Sequence, residues 1–184
     1  MNNPVHARLI GSWVFVENPV DGLRLFEEGF FGRPIGEPKF RMGSQTRQPF
    51  ILDLVEACYL AQKGKLVIEY GGGTLLPKEV ESLARKFIDR FDEKLLAYTW
   101  LRDHGWIVQS GVKFGNDFAI YEKGPGIDHA PLVARVVKPT DRLYVADLLA
   151  CGRVAASTRK AFLFVVVDAR KQKVAAAVIR WRRL

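Results

Sequence analysis

Leu101-Arg102-Asp103-His104-Gly105-Trp106-Ile107-Val108-Gln109-Ser110 is where the chain changes texture. Upstream, from about residue 93 to 104, the pattern is helical. Downstream it breaks into short runs of β-favouring residues at 106–110, 117–123, 130–137, 161–168 and 173–181. One helix interrupts them between 141 and 160, starting near Val145. The second half therefore predicts a mostly antiparallel or mixed sheet with flanking helices. Before residue 92 the texture is different. A strand is expected at 7–17, a short strand or helix at 22–31, and a loop at 32–43. A helix follows at 52–63, where Leu52, Val55 and Leu60 share a side and Gly64 stands where a helix-ending glycine belongs. Then come a strand at 65–70, a turn at 71–73, and a helix entered through 74–77 and running to about 91. The expectation is an α+β protein of two small domains, 1–92 and 93–184.

Composition narrows the function. The chain has 184 residues, 48% hydrophobic and 11% aromatic, enough to build a core. A formal net charge of +8 favours a polyanionic partner, nucleic acid first. Cys58 and Cys151 lack a second Cys or a His at metal-site spacing, so no zinc site is expected. Two scattered cysteines suit a reducing cytoplasm. The start, Met1-Asn2-Asn3-Pro4, carries no basic-then-apolar signal pattern. No apolar run approaches the ~18 residues of a membrane span.

The residues able to do chemistry cluster in the second half. Tyr121 ends a strand, and His129 follows eight residues later, after Gly124-Pro125-Gly126. A loop of such small residues can carry His129 back beside Tyr121. Each signal is weak alone. His6 and His104 fit ordinary packing or surface roles, a strand Tyr is usually half-buried packing, and Arg159-Lys160 after a helix usually answers the helix dipole.

Together they form a pattern. Added to Leu101-Arg102-Asp103-His104-Gly105-Trp106, Lys113-Phe114-Gly115-Asn116-Asp117-Phe118 and His129-Ala130-Pro131, the order Tyr121, His129, helix, Arg159-Lys160 closely resembles the catalytic domain of archaeal-type tRNA-splicing endonucleases (tRNA-intron endonucleases). This match covers roughly residues 98–168. Leu52-Asp53-Leu54-Val55-Glu56-Ala57-Cys58-Tyr59-Leu60 through Lys63-Gly64-Lys65-Leu66 resembles, more weakly, the helix of that family's N-terminal domain. The resemblance implies an N-terminal helix-strand domain followed by a restriction-endonuclease-like domain with a central mixed sheet and flanking helices. It implies cleavage of precursor tRNA at exon–intron junctions in a bulge-helix-bulge structure, without metal or other cofactor. It further implies 2′,3′-cyclic phosphate and 5′-hydroxyl products. The family's catalytic residues fall on Tyr121 as general base, His129 as general acid and Lys160 as electrostatic stabiliser.

That assignment is chemically sensible. RNA carries its own nucleophile, the ribose 2′-OH. Catalysis must remove its proton, protonate the departing 5′-oxygen and offset charge on the phosphorane. A His suits proton transfer near neutrality. A Tyr is a poor base unless a neighbour such as a lysine ammonium lowers its pKa. Which of Tyr121 and His129 takes which proton is left open by the sequence. A metal-dependent, restriction-type alternative needs an acid followed by Glu-x-Lys. After Asp117 the chain offers Glu122-Lys123-Gly124, with the Lys one position early. A second alternative, a non-catalytic structural or RNA-binding subunit of the same assembly, should lack part of the Tyr-His-Lys set, and all three are present.

The resemblance also suggests how RNA is held. Arg153 lies seven residues before Lys160, two helical turns along nearly one face, and matches a family Arg that clamps a flipped base. Trp181, or else Arg180, is expected as the second jaw. Lys39, Arg41 and Arg47 stud the 38–47 loop and are expected to reach the RNA backbone. The family works as four-unit assemblies in which an acidic loop between the last two strands enters a basic cleft. Here that loop is Asp168-Ala169-Arg170-Lys171-Gln172-Lys173, with one acid and three bases. The expected partner is therefore a second, structural subunit, giving two catalytic and two structural chains, with a homotetramer as the alternative.

Overall fold

The structure, a computed structural model, describes residues 3–158 and 160–180, the side chains of 154–158 excepted. It divides into two compact units, Met1–Phe91 and Asp92–Leu184.

In the first unit Gly11, at φ 62°, turns the chain. The result is a hairpin of β1 (Val5–Ile10) and β2 (Trp13–Val16), with Ile10 opposite Trp13. The single strand expected at 7–17 is therefore two, because a two-residue turn interrupts it. The 22–31 segment is helix α1 (Pro19–Gly29): the Asn18 side chain caps the Val20 N–H, and Pro19 suits the first turn. Within the expected 32–43 loop, β3 (Arg33–Pro34) pairs with β4 (Phe50–Asp53). Asp53 accepts the Glu56 N–H at 2.8 Å, which starts α2 (Leu54–Gln62) two residues later than its apolar spacing suggests. β5 (Leu66–Tyr70), β6 (Gly73–Leu75) and α3 (Pro77–Phe87) follow. The six strands run in the order β3-β4-β2-β1-β5-β6, with β1 and β5 parallel.

The 35–49 connection is anchored. Phe40 packs edge-on against Phe26 at 5.1 Å and Phe50 at 5.8 Å, and Thr46 donates to Glu37. Lys39, Arg41 and Arg47 stand exposed on that anchored loop.

The second unit opens with α4 (Phe91–Asp103), whose Tyr98 ring lies 5.9 Å from Phe118. Its strands are β7 (Ile107–Ser110), β8 (Phe118–Tyr121), β9 (Leu132–Val137), β10 (Ala161–Asp168) and β11 (Lys173–Ile179). They form one sheet in the order β11-β10-β9-β8-β7. Within this sheet, among the described residues, only β9 and β10 pair in parallel, and parallel neighbours need a crossover, which is α5 (Val145–Thr158). Val133, Phe162 and Phe164 pack with Cys151 of that helix. The two mixed sheets and five helices make the α+β architecture expected.

Candidate active site

Strand register brings Tyr121 and Lys160 into one row. Ile120 pairs with Leu132, and Ala161 pairs with the same Leu132 from the other side. One step further along these ladders, Tyr121 and Lys160 flank Pro131, roughly 10 Å apart across two strand spacings. The Ala161 N–H donates to the Pro131 carbonyl at 2.8 Å, which fixes this end of the ladder. Both side chains belong to the α5 side of the sheet. Tyr121 shares a cluster with Ala119, Ala130 and Phe114, and Phe114 also packs on the Val133–Phe162–Cys151 cluster.

Ala130 links Tyr121 and Lys160 and stands next to His129 in the chain. Its side chain packs against Tyr121, its carbonyl accepts the Lys160 ammonium at 2.7 Å, and its chain neighbour is His129. His129 is exposed, and among the described residues no hydrogen bond fixes its ring. The loop that delivers it is held by Asp128. That carboxylate accepts the backbone N–H groups of Glu122 at 3.2 Å, Lys123 at 3.1 Å and Gly124 at 2.9 Å. Three charge-assisted bonds to successive amides close the turn around the carboxylate. Replacing Asp128 with alanine frees those amides and loosens His129. The expected result is a cleavage rate lower by about 10–100-fold with RNA affinity unchanged, and Asp128→Asn, which keeps an acceptor, should lose less. Single-turnover rates alongside RNA titrations check this.

The electrostatics depart from expectation. A lysine neighbour was expected to lower the Tyr121 pKa. Instead the phenol is pushed up, first by burial and then by the Asp128 carboxylate. The Lys160 ammonium is pushed down, first by burial and then by the charge of Lys113. In the free chain Tyr121 is therefore a phenol at neutral pH.

Other expected residues lie apart from this row or outside the description. Arg153 is exposed on α5. The helix ends at Thr158, so Lys160 is placed by the β10 register, and the helical-face argument linking it to Arg153 does not apply. Arg180 is exposed just past β11, and Trp181 lies outside the described residues. Asp117, the acid of the metal-dependent alternative, is held structurally: Lys94 pairs with it at 3.1 Å and the Val136 N–H donates to it at 2.8 Å. A groove of about 780 Å³ lies elsewhere in this unit, lined by Leu96, Trp100, His104 and Val174. An RNA strand binds over an exposed surface, so cavity size does not locate its site. Sequence patterns quoted Lys113 and Phe114 only as part of a family motif, with no role of their own, and gave Asp128 none; its local signal is an Asp shortly after Gly124-Pro125-Gly126.

Known proteins resemble the chain over both units. Residues 91–176 match the family described as tRNA intron endonuclease, catalytic C-terminal domain, and residues 5–80 match its N-terminal domain. The chain is similar to the tRNA-splicing endonuclease of Saccharolobus islandicus (strain L.S.2.15 / Lassen #1), 36% identical over 98% of this chain and 100% of the relative. It is likewise similar to those of Pyrobaculum islandicum, 38% identical, and Pyrobaculum aerophilum, 39% identical, each over 96% of this chain and 98% of the relative.

Proposed function

The chain belongs to the tRNA intron endonuclease family, and on that premise we propose that it is the catalytic subunit that cuts precursor tRNA at bulge-helix-bulge junctions without a metal. The observation that carries this reading is the strand register that sets Tyr121 and Lys160 on either side of Pro131, with His129 two residues before it in the chain.

The reaction follows from those positions. Tyr121, as tyrosinate, takes the proton from the ribose 2′-OH. The 2′-oxygen bonds to the adjacent phosphorus, and the phosphorus–O5′ bond breaks. His129 gives its proton to the departing O5′, leaving a 2′,3′-cyclic phosphate and a 5′-hydroxyl. In the free chain the raised Tyr121 pKa leaves tyrosinate scarce at neutral pH, so this role requires the phenol pKa to fall when substrate binds. Lys160, its ammonium beside the row, offsets charge on the phosphorane. Outward from this centre, Arg153 and an aromatic or Arg jaw near Arg180 and Trp181 hold a flipped base. Lys39, Arg41 and Arg47, on their Phe40-anchored loop, meet the RNA backbone.

The β10–β11 turn supports a second, structural subunit. Its one acid, Asp168, is already engaged, accepting the Lys171 N–H at 3.1 Å and pairing with the Lys171 ammonium at 3.6 Å. The turn therefore presents Arg170, Lys171 and Lys173 outward, the wrong sign for a basic cleft on a copy of itself. Two catalytic and two structural chains form the working assembly, and a cytoplasmic site of action goes with its substrate. Purified alone, this chain should run as a monomer or dimer and leave bulge-helix-bulge RNA uncut. With the structural chain added it should form a tetramer and cut in EDTA. Light-scattering mass and gel assays decide; an active homotetramer overturns the assembly, and strict need for a divalent ion in the chemical step overturns the mechanism.

A further inference from the structure

Lys160 has a cationic neighbour, Lys113. The Phe114 ring gathers two ammonium groups, with Lys113 Nζ 4.9 Å and Lys160 Nζ 5.3 Å from its centroid. Among the described residues, neither ammonium has a carboxylate partner.

The turn that presents Lys113 is tightly built. Lys113 lies on a short 3₁₀ turn, Val112–Phe114, closed by Gly115 at φ 66°. The Gly111 N–H donates to the Asp117 carbonyl at 2.9 Å, the Phe114 N–H to the Gly111 carbonyl at 2.8 Å, and the Asn116 side chain to the Phe114 carbonyl at 2.8 Å. A side chain on Gly111 would lie 2.6 Å from the Phe118 nitrogen and 2.8 Å from the Asn116 carbonyl, so the backbone approach requires glycine. Asp117, which closes the turn, is itself pinned by Lys94 and by the Val136 N–H. Phe114 is fixed between two apolar clusters, while Lys113 stays exposed.

Two unpaired like charges held on one ring repel, and the arrangement becomes favourable when an anion joins them. The exposed position of Lys113 leaves it open to a ligand lying over the sheet end. An RNA strand whose scissile phosphate meets Lys160 carries further phosphates along the same path. We propose that Lys113 is a second phosphate-binding residue of this site, gripping a backbone phosphate next to the scissile one. The proposal rests on the catalytic reading above and adds to it a residue that positions the strand for the attack.

The test compares wild type, Lys113→Ala and Lys113→Arg in the assembly that cuts, using one bulge-helix-bulge RNA across a salt series. Lys113→Ala should weaken RNA binding about tenfold. It should also reduce the slope of log affinity against log salt by about 0.7–0.9, one phosphate contact. Lys113→Arg should restore both. The alkaline fall in rate should move to higher pH in Lys113→Ala, because a like charge beside Lys160 has gone. Wild-type affinity and slope in Lys113→Ala overturn the proposal, as does weakened binding with an unchanged slope. If wild type fails to cut the RNA at all, the catalytic reading fails instead, so the two failures are distinguishable.

Discussion

His129→Ala is expected to slow cleavage by about 10²–10⁴-fold, the usual contribution of a general acid, while RNA affinity stays near wild type. His129 is exposed and has no hydrogen-bond partner among the described residues, so its removal leaves no buried group unsatisfied and the fold should persist. The loss should be confined to the chemical step. Single-turnover cleavage, with RNA binding measured separately, checks this. A variant with full activity refutes the role of His129. A variant that loses binding in proportion to rate makes it a contact residue and not the acid.

Lys160→Ala is expected to cost about 10²–10³-fold in rate, the scale set by removing one group that stabilises charge in the transition state. The pH dependence gives a sharper version. The ammonium is the useful form, and burial together with Lys113 lowers its pKa. Charge is present below that pKa and lost as pH rises through it, so the Lys160 contribution must fade on the acid side of the ordinary lysine value of about 10.4. Lys160→Arg, which stays charged at every accessible pH, should keep part of the rate and lose this alkaline fall. Rate–pH profiles of the three proteins, corrected for uncatalysed RNA hydrolysis, decide it. An alkaline fall that survives in Lys160→Arg assigns the titration to another group.

The limits of sequence reading here are physical. β10 was legible at both ends because Ala161–Asp168 is a β-branched and aromatic run bounded by turn residues. Helix α5 starts where its pattern begins, at Val145. The hairpin at Gly11 was missed because the apolar residues of β1 and β2 form one nearly continuous pattern, and a single φ of 62° breaks it. The Tyr121, His129 and Lys160 types were visible in order, but the placement of Tyr121 and Lys160 in one row depends on the β8-β9-β10 register, a long-range pairing that no local period encodes. The helical spacing from Arg153 to Lys160 misled for the same reason: α5 ends before Lys160 does its work. The direction of the Tyr121 shift was hidden too, because it follows from burial and from Asp128, neither of which the motif reveals. Lys113 stood in the sequence only as one member of the 113–118 motif, and its place beside Lys160 on the Phe114 ring depends on the fold.

In the proposed reaction the substrate's own 2′-OH attacks the neighbouring phosphorus while side chains move the protons. The most direct measurement replaces one 2′-OH with hydrogen, at the ribose just 5′ of a cleavage site in bulge-helix-bulge RNA, and follows both cleavage sites in EDTA. The expected result is no cut at the deoxy position, unimpaired binding, and normal cleavage at the second site with a 2′,3′-cyclic phosphate end. A cut at the deoxy position at the normal rate would mean that water or another nucleophile attacks, and the roles given to Tyr121, His129 and Lys160 would be wrong.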